Sequence, residues 1–213
     1  MGALVMAPKA GRVREIVECG IGARTLSSET HSGDRAVIAP FRSGVVVAAV
    51  DGLGHGREAA DAAAAAASVI QDCAGEPLER LVSRCHGQLR KTRGVALSLA
   101  SLDAENHAMT WLGVGNVEGL LFRSNEMAPR ARECLLLRGG IVGYQMGPLR
   151  SATLPIRPGD TLIFATDGVD REFSSESPLG HLPQEFADEI IARYGKASDD
   201  ALVLVARYVG DPA

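Results

Sequence analysis

Four aspartates share one kind of sequence context. Asp34 lies in SGDR, just ahead of the apolar run RAVIA; Asp51 follows VVVAAV and precedes the turn GLGHG. Asp167 follows TLIFAT and precedes GVD, and Asp199 lies in SDDALVLV, ahead of the last apolar run. Each carboxylate therefore stands at the lip of a segment with strand composition. Strand ends gather at one edge of a sheet, so these acids are expected to converge. Carboxylates within a few ångströms repel and disfavour each other's ionisation unless a cation lies between them. The donors are all oxygen, with no Cys or His at ligand spacing, a set that selects Mg²⁺ or Mn²⁺ over zinc or copper. Two such ions about 3.5–4 Å apart make a nucleophile of water and clamp phosphate oxygens. Gly52, Gly54 and Gly56 let backbone approach an ion or its ligand, and the N–H groups opening the next helix face an anion. Taken alone, each Asp reads more readily as a turn or cap residue. The order and the shared strand context are what favour a site.

The elements that must position these acids are legible from periodicity. A strand-like pattern runs from Arg14 to Arg24, and HSGDRAVIAPF reads as a turn at Gly33 and a short strand ending at Pro40. SGVVVAAV is the strongest buried strand. A helix begins near Arg57 and carries Ala62 to Ala67, residues of high helix propensity and little bulk that let it lie close to a sheet. A second helix is expected from Pro77 to about Lys91, with Leu78, Leu81, Val82, Cys85 and Leu89 on one face. Residues 94 to 123 read as three short strands with turns at DAEN and near Gly115-Asn116. ECLLLRGG reads as one more strand and RPGDTLIFATDG as another. A helix at about Pro183 to Tyr194 and the strand DALVLVARYV close the chain. Short turns between neighbouring strands make the sheet mainly antiparallel, and helices grouped early and late argue for an α+β class.

Bulk properties narrow the function classes. The 213 residues suit one substantial domain. A net charge of −4 gives no electrostatic case for nucleic acid, and 4% aromatic residues leave little for base stacking. No apolar run approaches the roughly 20 residues needed to cross a bilayer, and the N-terminal stretch, broken by Pro8 and charge, does not read as a signal peptide. Cys19, Cys73, Cys85 and Cys134 form no paired motif and read as reduced thiols of a cytoplasmic protein.

VDGLGHGREAADAA, FATDGVDREF and SDDALVLVAR, in that order and behind SGDRAVI, resemble the metal-dependent type 2C serine/threonine protein phosphatases. The resemblance is strongest to the bacterial branch of SpoIIE, RsbU and RsbX, and within it to the RsbX-like members. It covers about Glu15 to Val209. It implies a four-layer αββα sandwich, with two mainly antiparallel sheets flanked by helices. It also implies a single catalytic domain over residues 1–213 with no sensor domain.

By the family's pattern Asp51 bridges two Mn²⁺ or Mg²⁺ ions, the Gly52 carbonyl adds a ligand, and Asp34, Asp167 and Asp199 complete the metal set, with room for a third ion. Asp51, Asp167 and Asp199 carry catalysis, by direct attack of metal-activated water on phosphoserine or phosphothreonine. Gly54, His55 and Arg57 are expected to touch substrate. Asp200 stands where many relatives carry Asn, and reads either as a support behind the metal ligands or as a rival for Asp199's role. The eukaryotic relatives' histidine position is Leu53 here, so the acid role is not transferred to His55. Their phosphate-gripping arginine is Glu29 here, leaving Arg24, Arg35 and Arg57 as loose candidates. Asn116 reads as structural, and Asp170 as the start of a loop or helix. Without room for a flap subdomain, substrate choice is expected to rest on a shallow rim. The resemblance implies phosphorylated STAS-domain proteins of a stressosome, RsbR- or RsbS-like, as substrates in bacterial stress signalling. A docking module without turnover and a small-molecule phosphatase are the alternatives.

Overall fold

The computed structural model of the chain describes residues 16–125 and 131–210; Arg14 and Glu15, at the expected start of the first strand, lie outside them. The strands are β1 (Val17–Arg24), β2 (Asp34–Phe41), β3 (Gly44–Gly52), β4 (Val95–Asp103), β5 (Ala108–Val114), β6 (Glu118–Phe122), β7 (Arg132–Cys134), β8 (Gly140–Ile141), β9 (Gln145–Met146), β10 (Ala152–Pro155), β11 (Thr161–Ala165) and β12 (Ala201–Tyr208). The helices are α1 (Arg57–Asp72), α2 (Leu78–Gln88) and α3 (Pro183–Tyr194). One antiparallel sheet has the order β1-β12-β11-β6-β7, the other β10-β5-β4-β3-β2, and β8 and β9 form a small hairpin.

Alternation along the strands divides the interior into three apolar layers. On β3, Val46, Ala48 and Val50 pack with Ala62, Ala66 and Ile70 of α1 and Leu81 of α2. Val45, Val47 and Ala49 face the other sheet, meeting Phe164, Leu202 and Leu204. On the far side, Ile163, Val203 and Val205 pack against Phe186, Ala187 and Ile190 of α3. Helix, sheet, sheet, helix is the expected four-layer α+β sandwich. Burying a side chain such as Phe164 or Leu204 in these layers is worth roughly 1.5–3 kcal/mol.

Small residues set the spacing. A Cβ on Gly52 would lie 2.2 Å from the Ala59 carbonyl oxygen, so α1 rests on the backbone at the end of β3. Glycines on β1 do the same for α3: a Cβ on Gly20 would lie 2.2 Å from the Pro183 carbonyl. At that edge the Gln184 carboxamide accepts from Ile21 N–H at 3.0 Å and donates to Ile21 C=O at 2.9 Å.

Two sequence expectations need correction. ECLLLRGG is not one strand. Its start pairs with β6, Leu135 N–H reaches Gly119 C=O at 2.8 Å, and Arg138 N–H reaches Gly113 C=O of β5 at 3.0 Å. The segment crosses from one sheet to the other, so its apolar residues serve two layers and neither pairing is long. The second helix ends at Gln88 rather than Lys91. Pro40 lies within β2, which it tolerates because β2 is an edge strand.

Candidate functional site

The same alternation delivers the acids. On β2, Ala36 and Ile38 face the other sheet, so Asp34 does too. Asp34 pairs with Asp51 across β2 and β3, and Asp51 continues the inward set Val45, Val47, Ala49. Asp200 precedes β12 in phase with the inward residues Leu202 and Leu204. All three therefore point between the sheets at one end of the sandwich. Thr166, the residue after β11, ties the sheets together there: its hydroxyl donates to Asp34 Oδ2 at 2.7 Å and accepts from Leu202 N–H at 2.9 Å.

Asp167 and Asp199 lie one residue out of this phase and reach the rim. Asp167 is exposed, and Asn116 Nδ2 donates to its Oδ2 at 2.6 Å, while Lys196 Nζ donates to its carbonyl at 2.6 Å. Asp199 is half-buried and its Oδ1 accepts from Asp200 N–H at 2.9 Å. The loops carrying them touch through backbone: a Cβ on Gly168 would lie 1.8 Å from the Asp200 carbonyl oxygen.

The electrostatics are those of like charges short of a counterion. Asp34 is pushed well above the ordinary carboxylate range, by burial first and then by Asp51, against the Thr166 hydrogen bond. Asp51 is pushed up to about 7 by burial, with Asp167, Asp199 and Asp200 adding to it. Asp199 is raised as well, chiefly by burial, with Asp167 and Asp200 adding and the Asp200 N–H and His55 opposing. Asp200 is different. Its Oδ1 accepts from Leu26 N–H at 2.8 Å and its Oδ2 from Gly33 N–H at 2.7 Å. Both oxygens thus fasten the loop between β1 and β2.

The other predicted residues separate. Gly54 has φ of +83° and carries the Arg93 guanidinium against it, where a Cβ would lie 2.8 Å from Nη1. Arg93 is in turn held by Glu58, Nε to Oε2 at 2.6 Å. His55 is exposed on the rim, with Nδ1 2.7 Å from Glu29 Oε1. Arg57 opens α1 and faces Asp61 one turn on, at 3.9 Å, along the exposed helix surface. Arg24 Nη2 and Arg35 Nε are buried without a hydrogen-bond partner among the described residues. Asp170 caps a 3₁₀ turn, its Oδ1 accepting from Glu172 N–H at 3.0 Å. A cleft of about 840 Å³ opens between β1 and β2, lined by Asp34, Arg35, Ile21, Ile38 and Gln184 among others. Burial pushes the Cys19 and Cys85 thiols up to about 12, so neither serves as a thiolate nucleophile.

Among the described residues no three His, Cys, Asp or Glu side chains close into a ready metal cage. Magnesium does not need one, because it keeps several waters and binds through one or two carboxylates at a time. A crowded, oxygen-only acid set whose ionisation is disfavoured fits such ions.

Two antiparallel sheets packed face to face, with helices outside each, make the fold of a type 2C (PP2C) phosphatase, a serine/threonine phosphatase class. The family described as Stage II sporulation protein E (SpoIIE) matches residues 42–209, and the chain belongs to that family. The phosphoserine phosphatase RsbX of Bacillus subtilis (strain 168) is 25% identical over 167 residues, covering 76% of this chain and 80% of that protein. A chain from a structural study of the bacterial stressosome superposes with a TM-score of 0.80 at 27% identity, over 90% of this chain and 99% of that one. RsbX in complex with magnesium superposes with a TM-score of 0.80 at 20% identity, over 90% of this chain and 95% of that one.

Proposed function

We propose that the chain is a metal-dependent phosphoserine/phosphothreonine protein phosphatase. In this reading Asp34, Asp51, the Gly52 carbonyl, Asp167 and Asp199 hold two Mg²⁺ or Mn²⁺ ions, and phosphorylated STAS-domain proteins of a stressosome are the substrates. The observation that carries the reading is the convergence of Asp34 and Asp51, inward and paired, with Asp167 and Asp199 on the rim of the same end. When bound, the ions supply an acidified water and charge for the phosphate oxygens. The protein's own residues keep that end in shape. Thr166 fixes Asp34, Asn116 fixes Asp167, and Asp200 fixes the loop from Leu26 to Gly33. Gly52 lets the end of β3, next to Asp51, lie directly against α1. The stressosome assignment is supported by the RsbX relative and the stressosome chain. Free cysteines suit a cytoplasmic setting.

The test is hydrolysis of a phosphoserine-bearing STAS-domain protein in EDTA, Mg²⁺ or Mn²⁺, comparing the unaltered chain with Asp51→Asn. Metal-dependent turnover lost in the variant is the expected result. Turnover of a generic phosphate ester alone removes the partner and keeps the chemistry. No turnover of either substrate overturns the reading.

A further inference from the structure

Hydrolysis of a serine phosphate leaves an alkoxide, a far poorer leaving group than a phenolate, and the metal-holding acids have no proton to give once ionised. A proton donor on the rim speeds the departure of such a group. We infer that His55 is that donor and that Glu29 is its positioning residue, an assignment that rests on the phosphatase reading.

Three observations carry it. First, His55 Nδ1 and Glu29 Oε1 are 2.7 Å apart, a carboxylate–imidazole pair bridging two loops 26 residues apart. Such a pair fixes which ring nitrogen faces outward: with Nδ1–H donating to Glu29, Nε2 is the free one, and among the described residues it has no partner. Second, the backbone presents the ring. His55 sits between Gly54 (φ +83°) and Gly56 (φ +76°), conformations only glycine adopts readily, and a Cβ on Gly56 would lie 2.7 Å from Glu29 Oε2. The two glycines thus turn the imidazole out of the loop and leave room for the carboxylate behind it. Third, the pair belongs to the acid end: Glu29 lies on the loop from Leu26 to Gly33 that Asp200 fastens, and His55 lies in the turn four residues after Asp51, with its side chain 59% exposed to an incoming substrate.

The step balances simply. Water oxygen forms the new bond to phosphorus and gives up a proton to solvent. The bond from phosphorus to the seryl oxygen breaks with its electron pair on that oxygen. The donor is the imidazolium form of His55, protonated on both nitrogens: its Nε2 proton passes to that oxygen, the ring is left neutral with Nδ1–H on Glu29, and it regains a proton from solvent.

The test is the dependence of kcat on leaving-group pKa. A series of phosphate monoesters from p-nitrophenyl phosphate to a phosphoserine peptide is assayed with Mn²⁺ for the unaltered chain, His55→Asn and Glu29→Gln. The deficit of His55→Asn is expected to grow along the series, to about 10²–10⁴-fold on phosphoserine. Glu29→Gln follows the same trend to a smaller extent, on kcat rather than KM. Nitrogen NMR of the metal-free protein supplies a readout independent of turnover, with the neutral ring of His55 protonated on Nδ1. A deficit equal for every ester, a deficit in KM alone, or a neutral ring protonated on Nε2 overturns the assignment while leaving the phosphatase reading intact. Absence of metal-dependent turnover of every ester by the unaltered chain overturns both.

Discussion

Replacing Asp51 with Asn is expected to stabilise the metal-free protein above neutral pH while ending turnover. Burial and the neighbouring acids push the Asp51 carboxyl to about 7 from an ordinary 3.8. Between about pH 4 and pH 7 the folded chain therefore keeps a proton here that the unfolded chain has released. Stability falls as pH rises through that window, because the folded state binds more protons than the unfolded one. At about 1.36 kcal/mol per pH unit, the gap of about three units makes the ionised group cost roughly 4 kcal/mol by pH 8. Asn removes the charge but brings a half-buried amide that takes back about 1–3 kcal/mol. A net gain of about 1–3 kcal/mol corresponds to a rise in Tm of about 3–10 °C for a chain of this size. The assay is thermal unfolding of both proteins in EDTA at pH 8 and pH 5. The advantage of the variant appears at pH 8 and disappears at pH 5, where native Asp51 is already protonated. Adding Mg²⁺ or Mn²⁺ reverses the order at pH 8, since an ion bound to the native state stabilises it by mass action. A variant less stable than its parent at pH 8 in EDTA, or a difference that ignores pH, refutes the reasoning.

Asn116→Ala frees Asp167 from its 2.6 Å donor, and metal affinity or kcat is expected to fall about 10–100-fold with little change in Tm; metal titration and steady-state kinetics measure it. Gly168→Ala places a methyl 1.8 Å from the Asp200 carbonyl oxygen, so denaturant unfolding should show a loss of about 1–3 kcal/mol together with weakened metal-dependent turnover. Arg123 is ion-paired with Glu133 and, at 3.0 Å, with Asp160, which is 2% exposed. Arg123→Leu removes the cation but leaves that carboxylate its hydrogen bonds from Ser124 and Arg157, and the expected cost is about 1–3 kcal/mol in urea unfolding.

Much of the fold was legible because β3, β4, β11 and β12 are nearly continuous apolar runs, and because Pro183 marks the start of α3. The crossing of ECLLLRGG was not legible, since no local pattern says where a segment changes sheets. The short strands β8, β9 and β10 carry too few residues to show a period. At the site, the acids announced themselves through their place at strand ends. Their division into inward and rim positions required the sheet register, which pairs Asp34 with Asp51. Thr166, Asn116 and Glu29 contribute through single hydrogen bonds to residues 132, 51 and 26 positions away, contacts with no sequence signature. Asp199 and Asp200 are adjacent letters that strand phase sends apart, Asp200 inward onto the amides of Leu26 and Gly33 and Asp199 to the rim.

The carboxamide of Gln184 on the backbone of Ile21 bears on how the molecule behaves in a crowded solution. An unfilled strand edge offers N–H and C=O groups to any extended chain that passes, and that is the route by which β-rich proteins swap strands or grow into fibrils. Here a helix side chain occupies both groups at the middle of the outermost strand, in the geometry a sixth strand would use. This one edge is closed at Ile21 from within the chain's own sequence, and self-association through β1 first has to displace an intramolecular partner.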